Sequence, residues 1–132
     1  LSQLNRLDAY VEKRHIIANY YDKHLSNLPI SSQKRLPHCY SSMHLYVIRL
    51  NLDKISISHK DFFEHMINSG IGVNLHYIPV HMHPYYQKLG FQKGNFPEAE
   101  AYYSSAISLP IHPNLSVQDQ NYVIEVISKA LD

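Results

Sequence analysis

One cysteine in 132 residues excludes an intramolecular disulfide and any zinc site built on paired thiolates. That residue, Cys39, suits a reducing cytoplasm, and no signature of a catalytic thiol surrounds it, so a small side chain near a strand start is expected. Glycine is scarce and scattered: the four at positions 70, 72, 90 and 94 make neither GxGxxG nor a P-loop, which excludes the usual backbone cradles for nucleotide phosphates. No apolar run approaches the roughly 20 residues that span a bilayer. Charge of one sign is missing too. The net charge of +1, from Lys and Arg spread along the chain, provides no footprint for nucleic acid or an anionic membrane.

What remains is the balance of an ordinary globule, 45% apolar and 17% charged, in one domain covering residues 1–132. At this length roughly two thirds of the unfolded surface can be buried in a single core.

The spacing predicts a long helix over residues 2–27, with Leu4, Leu7, Val11, Ala18, Tyr21 and Leu25 on its buried stripe. A polar connector follows, with a short edge strand expected at 35–40. The branched and aromatic run from His44 to Leu50 reads as a central strand buried on both faces. Ser58 and Asp61 make a capping pair for a helix with Phe62, Phe63, Met66 and Ile67 on its apolar side, and Gly70 is its left-handed end. Further helices are expected at 84–89 and 96–106, a short strand at 107–111, and a last helix capped by Ser116 and Asp119. The order suits a two-layer α/β sandwich in which helices cover a small, mainly antiparallel sheet.

The most informative stretch runs from Ile71 to Pro84. Ile71, Val73, Leu75 and Tyr77 alternate with Gly72, Asn74 and His76, as in a half-buried strand, until Pro79 stops the ladder. Beyond it His81 and His83 flank Met82 in a stiff exit loop of the kind that holds ligands. His76, His81 and His83 invite a metal reading, but no HExxH or CxxC spacing supports one. A hydrolase reading from Ser104, Ser105, Ser108 and His112 lacks the GxSxG elbow. Most of the eleven tyrosines are expected to pack amphipathically; Tyr77, at the strand exit, is the candidate for ligand contact.

The run GIGVNLHYIPVHMHPYYQKLGF, followed by FPEAEAYYSSAISLPIHPNLSVQD, resembles the C-terminal region of the DegT/DnrJ/EryC1/StrS sugar aminotransferases. LNRLDAYVEKRHIIANYYDKHL and HLYVIRL extend the resemblance over nearly the whole chain. Within the family the wording is nearest to the transaminases that make UDP-4-amino-4,6-dideoxy-N-acetyl-altrosamine on the way to pseudaminic acid, the sugar that modifies flagellins. The resemblance implies the small C-terminal domain of the aspartate-aminotransferase-like fold. It also implies a longer polypeptide, because the family's large domain, with its cofactor lysine before a TTGEGG-like turn, has no counterpart here. The implied enzyme uses pyridoxal phosphate (PLP) to move an amino group, from glutamate as donor, to C4 of a UDP-4-keto-6-deoxy-HexNAc sugar. It would be a cytoplasmic homodimer, and the 132-residue chain alone would be inactive. The family's HYxPxH motif falls on His76, Tyr77, Pro79 and His81, so Tyr77 and His81 are expected to bind or orient the sugar nucleotide while His76 supports the strand end. The competing class is a stand-alone interaction or scaffold domain without catalysis.

Overall fold

The computed structural model describes residues 2–131. Helix α1 (Leu7–Leu25) follows one 3-10 turn (Leu4–Arg6) and buries Val11, Ile17, Ala18, Tyr21 and Leu25. This is the expected stripe with one correction: Leu4 and Leu7 are exposed, because nothing among the described residues covers the start of the helix.

Three antiparallel strands form the sheet in the order β1 (Ile30–Ser32), β2 (Tyr46–Leu50), β3 (Ala106–Leu109). The edge strand is not at 35–40 but five residues earlier, where Ile30 pairs with Leu50 and Ser32 with Ile48. Residues 35–40 form irregular chain and a turn, with Cys39 exposed in it, well before the β2 strand it was expected to precede closely. Strand β2 is central, as expected, but buried on one face only. Tyr46, Ile48 and Leu50 enter the core, while alternation sends Val47 and Arg49 to the other side, where Arg49 is exposed. There its Nε donates to Ser105 Oγ at 3.0 Å and its guanidinium lies 5.9 Å from the Tyr102 ring centre.

Helices α2 (His59–Asn68) and α5 (Val117–Leu131) pack with α1 against the core face. Both begin as the sequence dictates. Ser58 Oγ accepts from the Asp61 amide at 3.1 Å, and Ser116 Oγ does the same for Asp119 at 3.1 Å. Gly70, at φ +74, ends α2, and the Ile71 amide turns back to donate to Met66 O. Phe62 and Met66 are buried, whereas Ile67 falls outside the stripe and is exposed. Polar ties reinforce the layer: Tyr21 Oη donates to Pro110 O, and the buried Gln120 amide donates to Ile17 O at 3.2 Å.

Candidate functional site

The segment after Gly70 leaves the core in steps. Ile71 and Val73 are buried and Leu75 is half-buried, but the stripe stops there: Tyr77 is 74% exposed. The expected strand is reduced to a single bridge, in which Asn74 and Ser108 exchange backbone hydrogen bonds of 3.3 and 2.9 Å. The reason is geometric: in this antiparallel register Pro110, just past the end of β3, has no amide to offer Gly72, and Ala106 O, opposite His76, lies 3.0 Å from His59 Nε2 instead.

His76 extends this attachment. Its Nδ1 lies 2.8 Å from Ser108 Oγ, and its ring meets Tyr77 edge-on at 4.7 Å. The His76–Tyr77 peptide is cis. Tyr77 thus stands in solvent at the end of a chain tied to β3 by two backbone bonds and one side-chain contact.

Pro79 and the 3-10 turn Val80–Met82 then carry His81 back inside, to 6% exposure. Its Nε2 lies 2.8 Å from Glu100 Oε1, and its ring packs on Phe96 with centres 4.8 Å apart. Glu100 belongs to α4 (Pro97–Tyr103), which with α3 (Pro84–Lys88) and their connection forms an outer module. The same Oε1 also accepts from the Gly94 amide at 2.7 Å. That amide is the largest cause holding the Glu100 carboxyl below the ordinary carboxylate range; burial opposes it, and the His81 ring adds a smaller lowering. Beside the pair lies an apolar recess of about 330 Å³ walled by Val80, Tyr86, Phe91 and Phe96.

The three sequence candidates therefore occupy one strand exit in different settings: His76 on β3, Tyr77 in water, His81 buried against α4. His83 is exposed, and among the described residues no three His, Cys, Asp or Glu side chains converge as metal ligands would. Glu100 was not singled out from sequence, and Ser108 entered only the rejected hydrolase reading, not as a partner of His76. Each lies 19 and 32 positions from its histidine, and neither belongs to a recognisable spacing. The eight lysines, from Lys13 to Lys129, are all exposed. A lysine that anchors a carbonyl cofactor covalently needs a desolvated or charge-assisted pocket, so the side chains present do not fit that role for PLP.

The model of the DegT/DnrJ/EryC1/StrS aminotransferase family matches residues 1–128. The UDP-4-amino-4,6-dideoxy-N-acetyl-beta-L-altrosamine transaminase of Campylobacter jejuni is 32% identical over the whole chain, which spans 35% of that protein. Among solved structures, PseC of Helicobacter pylori, an aminotransferase of pseudoaminic acid biosynthesis, superposes with a TM-score of 0.88 at 30% identity, over 99% of this chain and 35% of its own. Spr1654 of Streptococcus pneumoniae in its PLP form gives 0.87 at 30% identity, over 100% of this chain and 35% of its own. The chain spans about a third of the length of the curated relatives it matches.

Proposed function

Because the chain belongs to the DegT/DnrJ/EryC1/StrS aminotransferase family, we propose that it is the C-terminal small domain of a PLP-dependent nucleotide-sugar aminotransferase. The amino group passes from glutamate to C4 of a UDP-4-keto-6-deoxy-HexNAc sugar, a reading supported by the similarity to the Campylobacter jejuni transaminase and to PseC. PLP belongs to the part of the enzyme outside these residues. The work of this domain is to cover the sugar nucleotide, exclude water and fix its orientation.

The single observation that carries this is the Tyr77 phenol, 74% exposed on a segment clamped to β3 on one side and to α4 on the other. A polar group held stiffly in water can hydrogen-bond a sugar hydroxyl without a large ordering cost. His81 orients the loop and the ligand, and His76 supports the strand exit.

Tyr77→Phe in the intact enzyme is the clean test, since an exposed hydroxyl adds little to stability. It should raise KM or lower kcat by the equivalent of about 1–3 kcal/mol at an unchanged melting temperature. Wild-type kinetics would sink the assignment. The 132 residues alone should show no transaminase activity, and borohydride treatment with PLP should label no single lysine stoichiometrically. The intact enzyme is further proposed to be a cytoplasmic homodimer; a clean monomer in light scattering would contradict the dimer.

A further inference from the structure

We propose that Glu100 is a positioning residue for the candidate site, a clasp that decides which nitrogen of His81 carries the proton and holds the exit loop against the 92–96 turn. The inference rests on the reading of His81 as a ligand-orienting group, and it adds a residue and a polarity to it.

The geometry is specific. One carboxylate oxygen, Glu100 Oε1, receives both the His81 ring at 2.8 Å and the Gly94 amide at 2.7 Å. Gly94, at φ +95, occupies a backbone conformation that side chains avoid, so its amide is aimed by the turn itself, which Asn95 Oδ1 closes by accepting from the Gln92 amide at 2.7 Å. Phe96 packs on the His81 ring with centres 4.8 Å apart. Three chain segments thus converge on one carboxylate: the turn after Pro79, the 92–96 turn, and α4.

A chemical consequence follows. An ionised carboxylate only accepts hydrogen bonds, so the imidazole nitrogen facing it, Nε2, must bear hydrogen. In the neutral ring Nδ1 is then an acceptor. The group it would recognise is a donor, a sugar hydroxyl or an amide N–H, and not a phosphate oxygen. Without Glu100 both tautomers become available, and the ring can turn either edge to a ligand.

Nitrogen-15 spectra of the histidine rings in the ligand-free chain, with His81 assigned by substitution, read the tautomer directly. The expected result, read where the spectra show the neutral ring, is hydrogen on Nε2 and not on Nδ1. In Glu100→Ala that preference should disappear, and exchange of the Gly94 amide should accelerate about tenfold, as for loss of a charge-assisted hydrogen bond. Should the alanine variant fail to fold, Glu100→Gln keeps the volume and one acceptor oxygen, and should still shift the His81 ring signals and speed Gly94 exchange several-fold. A wild-type ring protonated at Nδ1, or Gly94 exchange that is unchanged in the variant that folds, overturns the proposal. These readouts need no substrate, so they fail separately from the enzymatic reading. A clasp confirmed by spectra, with sugar-nucleotide KM and kcat unmoved in the intact Glu100→Gln enzyme, would leave Glu100 in place and remove His81 from the binding site.

Discussion

The helix-backed sheet and the outer module built on α3 and α4 hold their shapes by different means. In the first, Tyr21, Tyr46, Ile48, Phe62, Met66, Ile107 and Ile127 are at most 2% exposed, and stability comes from apolar burial shared among many side chains. In the second, every residue from His83 to Ala99 is exposed, including Leu89 at 61% and Phe96 at 48%. It is held by a few directed contacts: the two bonds to Glu100, Gln87 to Met82 O, and the aromatic series Tyr86, Phe91, Phe96, His81. A region with few buried contacts opens more readily, and binding loops are drawn from that end of the stability range. The contrast locates the capacity to move beside the candidate site and keeps the scaffold beneath it rigid.

The largest expected effect tests this contrast directly. Phe62→Ala removes a fully buried ring and should cost about 3–5 kcal/mol in denaturant unfolding, whereas Phe96→Ala, from a half-exposed ring, should cost well under half of that. Equal losses would mean that the outer module is part of the cooperative core. The next effect is smaller. Ser58→Ala deletes a cap that α2 uses and should cost about 1 kcal/mol, while α3 and α4 start on Pro84 and Pro97 with no side-chain cap to lose. Amide exchange should accordingly be slower in α2 and α5 than in α3 and α4; the reverse order would break the comparison.

Legibility in the sequence followed the same divide. Signals carried within a few residues were readable: the Ser58–Asp61 and Ser116–Asp119 caps, the Gly70 stop, the core stripe from Val11 to Leu25, and the central place of the strand ending at Leu50. Signals that depend on a distant partner were not. Nothing near Ile30 announces its pairing with Leu50, and an equally polar stretch at 35–40 competed for the same role. Arg49 was hidden inside an apolar run, although it alone betrays the face that the helices leave open. The alternation from Ile71 to Tyr77 is a true pattern, but a strand also needs a neighbour, and β3 offers only Ser108. The HYxPxH stretch could be found from its residue types, whereas Glu100 could not, because its pairing with His81 is a product of how α4 folds back.

The smallest effects are those of pH: the buried core tyrosines respond to alkali, and Glu100 in the module and Asp119 at the α5 cap respond to acid. Burial raises the pKa of Tyr21 well above the ordinary phenol value, with the charge of Asp119 adding to it, and burial likewise raises Tyr46. For both, the folded chain favours the neutral form, so their contribution is complete below about pH 10 and fades as pH rises past the unfolded value. Glu100 is shifted the other way, chiefly by the Gly94 amide, so the folded chain favours its anion. Its contribution is present above the ordinary carboxylate range, about pH 4.3, and is lost as pH falls through its lower folded value. Asp119, lowered chiefly by the Ser116 hydroxyl, adds an acid-sensitive point at the α5 cap. Acid should therefore release the Gly94 amide and the α5 start while the interior stays closed, and alkali should reach Tyr21 only as the core itself opens. Residue-resolved exchange at low pH and tyrosinate absorbance at high pH measure the two limbs. Early tyrosinate formation at Tyr21 in a folded chain, or a Gly94 amide indifferent to acid, would remove the electrostatic half of the difference between core and module.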